Sequence, residues 1–349
     1  MAVFLRPPQL NHRVAAVAVP LLGLLVILPG CNEPRHSHAR PPTEKLDLAL
    51  FMDGAVLESS VEDCTLTDGS KTKCHSITVA GHPANHDVGP FCPPTTSASS
   101  ELGGIWFDGN HVYDVDGSFI LGLAELYGDD RWKLYGEDGN VRITDTPEAF
   151  AAAARPDVDP QYQNHCVEGR MEWLENGKPV PGTVLIPASP ILAKGTNRAH
   201  GNLGVTLNGV VIAASAPVDA ILGAYTIAPF DDCGGHINPF DGYHLHGARG
   251  CSETGTAGEG ETPIFAYAMD GFPIHSPLKG GSTADGLNEC QGHTTTELGY
   301  HYHAANPEEN GVLRCFSGLT VQPNRGEGPP GGRPPGDGPP GGRPPARGE

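Results

Sequence analysis

The 349-residue chain is short of cations: 22 Lys and Arg stand against 41 Asp and Glu, a formal net charge of -19. A nucleic-acid surface needs Lys and Arg against phosphate, so that class of partner is excluded. The acidic balance suits a soluble surface and is compatible with cation binding. No Gly-x-Ser-x-Gly elbow, phosphate loop or dinucleotide fingerprint occurs. Long apolar runs are lacking too, since Val14–Ile27 is roughly 14 residues where a membrane span needs about 20. What abounds is Gly (47) and Pro (34). Both interrupt helices and populate turns, which points to strands and long loops.

The short apolar run follows Arg6, His12 and Arg13 and suits the core of a signal peptide over residues 1–31. It ends Leu28-Pro29-Gly30-Cys31, which resembles the bacterial lipobox, with Pro29 an uncommon residue at its position. The resemblance implies that Cys31 is lipidated and becomes the mature amino terminus. Its acyl chains would tether the protein to a membrane of the cell envelope, on the periplasmic or extracellular face. An ordinary secretory signal with a coincidental cysteine is the alternative. Residues 32–45 read as a disordered tether in which His36 and His38 are solvated. Residues 321–349, Pro- and Gly-rich without a collagen period, read as a disordered tail.

Export governs the cysteines. Without Cys31 eight remain, and in an oxidising compartment disulfides are expected. Sequence order suggests Cys64–Cys74, Cys92–Cys166, Cys233–Cys251 and Cys290–Cys315, although spacing alone leaves connectivity open. The last two are best supported, since they occupy equivalent places in the two copies of a repeat further along the chain, and closing loops of their length stabilises by about 3 kcal/mol each in the chain-entropy model.

Residues 46–200 carry mostly strand and turn signals. Leu46–Val56 and Ser76–Ala80 are short apolar or alternating runs, and Ile105–Gly117 reads as a hairpin series. Glu175-Asn176-Gly177-Lys178 reads as a further hairpin turn. Pro147–Ala154 is the one clear helix, with Thr146 as N-cap and Pro147 at the first position. Gly81–Cys92 forms a rigid polar loop bearing His82 and His86.

The organising feature lies further on. Cys233-Gly234-Gly235-His236 is followed by Tyr243-His244-Leu245-His246, and Cys290-Gln291-Gly292-His293 by Tyr300-His301-Tyr302-His303, in the same register. Leu207–Ile212 leads into the first copy and Met269–Ile274 into the second, while Cys251 and Cys315 close them. Residues two apart on a strand share a side, so each Tyr-His-x-His places two imidazoles on one face. A third, His236 or His293 from a nearby loop, completes a set that suits Zn, Cu or non-haem Fe. Gly235 and Gly292 would let the backbone bend towards the strand pair. His275 and His86 are further candidates. Asp270 and Asn208 read first as turn formers, and Glu289, Asp232 and Asp270 are candidate bases for a metal-bound water. Equally, six histidines can serve only to hold backbone in a polar sheet.

These segments, with Asp270-Gly271-Phe272-Pro273-Ile274, Cys315-Phe316-Ser317-Gly318 and the upstream Pro83-Ala84-Asn85-His86, resemble the YHYH-domain family of bacterial exported proteins. The resemblance is closest over about 204–318 and extends from about residue 75. It departs at Leu245 and His275, where Tyr is usual. That family has no assigned activity, so the resemblance implies organisation and not a reaction. The expectation is a mainly β, disulfide-stapled, loop-rich domain, with an amino-terminal part over 46–200 and a duplicated His-rich module over 201–320. Two functions fit: a transition-metal-binding envelope lipoprotein, with Cu or Zn ahead of Fe, or a structural module that recognises glycan, envelope polymer or protein.

Overall fold

The computed structural model describes residues 45–323, apart from 156, 200, 256, 258–259 and 279–285. The expected signal peptide, Cys31, His36, His38 and the tail beyond Pro323 lie outside the described residues. The described residues all belong to one compact unit, so the boundary read near residue 200 falls inside it.

Fifteen strands dominate the described chain. The first sheet is antiparallel, in the order β1 (Val56–Thr65), β2 (Lys71–Val79), β5 (Gly182–Pro187). Its buried residues Ile77, Val79, Val184 and Ile186 pack on Val205, Leu207 and Tyr267. A hairpin of β3 (Ile105–Phe107) and β4 (Val112–Asp114) forms as expected, and β6 (Leu192–Arg198) pairs with β15 (Cys315–Gly318).

The fourth sheet holds eight strands in the order β13-β14-β12-β11-β7-β8-β10-β9. These are β7 (Asn202–Thr206), β8 (Val211–Ala213), β9 (Gly235–Asn238), β10 (Gly242–Leu245), β11 (Ile264–Ala268), β12 (Pro273–His275), β13 (Gly292–Thr295) and β14 (Gly299–His303). The order reads the same from either end: two copies of a pair of hairpins meet where β7 runs antiparallel to β11. Within each copy the second hairpin docks on the first by a parallel contact, Leu245 beside Ile212 and Tyr302 beside Ile274.

The sequence duplication is therefore a structural one, and the apolar lead-ins form the turn and most of the second strand of each inner hairpin. Tyr243, Leu245, Tyr300 and Tyr302 enter a common core with Phe265, Phe272 and Ile274.

Helices are more numerous than expected. Pro147–Ala153 (α2) is capped by Thr146, whose Oγ1 accepts the Ala149 N–H at 3.1 Å. Gly117–Leu126 (α1) precedes it and begins where the hairpin series was expected to end. Asp116 caps α1 by accepting the Phe119 N–H at 2.7 Å, so this Asp-Gly starts a helix and not a turn between strands. Val218–Gly223 (α3) was likewise unanticipated. Glu175–Gly177 forms a 3-10 turn and joins no strand pair, which corrects the hairpin reading there.

One device opens both outer hairpins. Asp231 accepts the N–H groups of Cys233 and Gly235 at 3.1 Å and the Tyr243 hydroxyl at 2.8 Å. Asn288 accepts the N–H groups of Cys290 and Gly292, and its amide donates to the Tyr300 Oη at 3.0 Å. The glycines serve packing and not bending. A Cβ on Gly235 would lie 2.3 Å from the Tyr243 hydroxyl, and one on Gly292 2.0 Å from that of Tyr300.

Gly292→Ala should therefore destabilise by about 1–3 kcal/mol, the usual cost of overpacking. Gly122 lies within α1 with open space at its Cβ position, so Gly122→Ala should stabilise by roughly 0.5–1 kcal/mol. Urea unfolding of the two variants reads both signs, and equal effects would refute the packing role.

Candidate metal centres

The hairpins place the histidines in cross-strand pairs. His236 lies directly opposite His244, and His293 directly opposite His301. The third histidine of each set thus comes from the paired strand, and not from a loop as expected. The seven-residue interval between His and Tyr is what produces this register.

In the first cluster the rings of His236, His244 and His246 stand 4.8 to 5.0 Å apart. Phe230 packs on His236 at 4.7 Å and on His246 at 5.5 Å. The Nδ1 of His244 lies 3.0 Å from the Gly242 carbonyl oxygen, and that of His246 2.6 Å from Ala214. A carbonyl only accepts, so these nitrogens carry the protons and each Nε2 presents a lone pair. Ligand atoms of all three residues lie within 4.8 Å of one another.

The second cluster is tighter. The Nε2 of His293 is 2.9 Å from that of His301 and 3.2 Å from that of His303. Glu261 joins them, its Oε2 3.2 Å from the Nε2 of both His301 and His303. The Nδ1 of His301 faces the Gly299 carbonyl at 3.2 Å, and that of His303 faces Ser276 at 3.3 Å. The same tautomer follows. His301 is fully buried and His303 is 2% exposed.

Several sequence-level candidates fall elsewhere. His275 stands beside the second cluster, its ring 4.7 Å from His301 and its Nδ1 2.5 Å from the Thr262 carbonyl oxygen. His86 is grouped with Cys233 and Cys251 and with neither triad. Those cysteines form a disulfide and offer no thiolate.

Among the candidate bases, Asp232 and Glu289 are exposed. Asp270 is fully buried and accepts from the Tyr302 hydroxyl at 2.5 Å and the Gly318 N–H at 2.9 Å, a clamp and not a free base. Glu261 was missed. It lies ahead of β11, outside every repeated segment, so no motif marks it. The four disulfides join Cys64 to Cys74, Cys92 to Cys166, Cys233 to Cys251 and Cys290 to Cys315, in sequence order.

Electrostatics favours neutral rings. Burial, followed by the imidazoles of His275 and His293, pushes His301 down to about 4. Burial likewise brings His303 to about 4. His236, His244 and His246 are all held below the usual histidine range, chiefly by burial. Converging lone pairs repel, and one shared proton cannot satisfy three imidazoles and a carboxylate. A divalent cation can. A tetrahedral zinc site with bonds of about 2.0–2.1 Å has ligand-to-ligand edges of about 3.3 Å. In the second cluster His293 lies 2.9 and 3.2 Å from its two histidine partners and the Glu261 Oε2 3.2 Å from both of those, while the Glu261 oxygen nearest His293 is Oε1 at 3.9 Å. The donor set fits.

Fold and site thus define a duplicated, disulfide-braced β domain with a histidine cluster in each copy. Residues 183–285 match the YHYH protein family, and the chain carries a YHYH region there. The match covers the first copy with Tyr243–His246 and ends ahead of the second copy's Tyr300–His303. No curated protein and no solved structure matches the chain.

Depressed histidine values have a definite sign. Between about 6.5 and 4 the unfolded chain takes up protons that folded His301 and His303 refuse, so their contribution to stability is lost as pH falls through this window. Histidine NMR of metal-free protein should show these two rings neutral at pH 5.5. Midpoints near 6.5 would contradict their burial.

Proposed function

We propose that the chain is an exported, envelope-anchored lipoprotein whose two copies each bind a transition metal. His236, His244 and His246 hold the first ion. His293, His301, His303 and Glu261 hold the second. Imidazole-rich sets suit Cu or Zn ahead of Fe. The observation that carries this reading is the gathering of three Nε2 atoms and the Glu261 carboxylate in the second cluster, with the carbonyl bonds at His301 and His303 orienting their Nε2 lone pairs inward.

Export is supported by the four disulfides, which persist in oxidising compartments. Among the described residues no helix is long and apolar enough to cross a membrane. Attachment then rests on the lipobox-like Leu28–Cys31, and envelope polymer or protein is the accessible partner. Cys31→Ala should release the protein from the membrane fraction. Unchanged association and precursor size would refute the anchor.

The competing reading takes the histidines as structural and the domain as a glycan- or protein-recognition module. It draws on the same carbonyl bonds, since each could simply satisfy backbone. Elemental analysis separates the two. Protein purified without a polyhistidine tag should carry two equivalents of metal. His244→Ala with His246→Ala should remove one, and His301→Ala with His303→Ala the other. Folded protein that takes up no metal, or double variants that retain it fully, would leave the structural module standing.

A further inference from the structure

The two clusters share a frame but not surroundings. In the second, Glu261 closes the fourth direction and His275 lies against His301. The positions of Glu261 and His275 in the first copy, counted from Asp270 and its counterpart Asn208, are held by Ala199 and Ala213. Neither alanine offers a donor. Among the described residues the first group has three members.

Beside it lies a cavity of about 420 Å³ whose wall includes His236, His244 and His246 themselves. Ala213, Ile237 and Asn238 of the hairpins also line it, and much of the rest of the wall is drawn from elsewhere in the chain. α3, inserted between β8 and β9, supplies Ala220 and Ile221; α2 supplies Ala153; Phe91 and Val167 come from the amino-terminal part. Apolar surface makes up most of the wall, and Arg155, Glu168, Asn202, Thr226, Asn238 and Asp241 are its polar residues besides the histidines. Glu168 is one of them, with its side chain 14% exposed and its Oε2 accepting the Cys92 N–H at 3.1 Å.

Structural metal sites are closed by four protein donors, whereas reactive ones keep three and leave a position to water or substrate. Small-molecule sites are concave, mostly apolar and several hundred cubic ångströms in volume, with few polar groups. The first cluster meets both descriptions, whereas the second has a fourth protein donor in Glu261. We infer that the first centre is the ligand-exchanging one, taking a small, mainly apolar molecule that coordinates the metal through a single donor head, while the second centre is a closed structural site. This inference rests on the metal-binding reading above.

Cobalt(II)-loaded protein, titrated with 4-phenylimidazole and with azide, tests it by visible absorption. In the His301→Ala, His303→Ala variant, where only the first centre is loaded, both probes should shift the cobalt bands. In the His244→Ala, His246→Ala variant, where only the second is loaded, neither should. Ala220→Phe narrows the cavity without touching a ligand. It should weaken 4-phenylimidazole at least tenfold, leave azide within about twofold and keep the metal content. Ala213→Leu provides the same check should α3 not tolerate the ring.

Absence of cobalt uptake would overturn the metal reading, and this inference with it. Two bound ions with a first centre silent to both probes, or a second centre that responds equally, would overturn this inference alone.

Discussion

Two backbone carbonyls in each copy turn the imidazoles inward, and the sheet is built so that they can. His246 is met by the carbonyl of Ala214 and His303 by that of Ser276, each one residue beyond the end of an inner-hairpin strand. Those carbonyls arrive because β10 runs parallel to β8, and β14 parallel to β12. His244 and His301 are met from within their own hairpins, by Gly242 and Gly299. One hairpin alone would orient one ring. Two hairpins docked in parallel orient both, which is why the duplicated unit includes the apolar lead-in strands.

Packing couples this arrangement to the rest of the chain. Phe230 lies on the first cluster from one side and stacks on Phe107 at 3.9 Å from the other, so the amino-terminal core bears directly on the histidines. The disulfide from Cys233 to Cys251 fastens the entry of the first outer hairpin to the loop that follows it. The one from Cys290 to Cys315 ties the second to β15. Buried neutral imidazoles need such bracing, because a ring that swings out of line with its carbonyl leaves a polar nitrogen unsatisfied.

The copies have diverged in matched pairs. Tyr302 gives its hydroxyl to Asp270 and accepts the Ser317 N–H at 2.7 Å. Leu245 in the first copy has no hydroxyl to give, and Asp270 is replaced there by Asn208. That amide turns to Asn85 at 3.0 Å and accepts from Thr206 at 2.6 Å, which ties the upstream polar loop to the sheet. The departure at Leu245 is thus compensated next door. The departure at His275 has a different effect: a ring fills space beside the second cluster where Ala213 leaves it open beside the first.

The sequence alone determined the duplication, the β character, the capped helix at Pro147 and the six histidines, because each is written in spacing of short range; the disulfide pairing, with Cys92 and Cys166 74 residues apart, needed the fold. The shared interval from His to Tyr was legible, but that it closes a hairpin and sets His236 opposite His244 and His293 opposite His301 was seen only in the fold. Spacing could not announce Glu261, since its approach to the second cluster depends on how the first strand of one hairpin lies beside another. Nor could it give the role of Gly235 and Gly292, which make room for tyrosine rings eight residues away. The tertiary structure alone placed a cavity beside His236, His244 and His246, because its wall joins segments distant in sequence that meet only when the chain is folded.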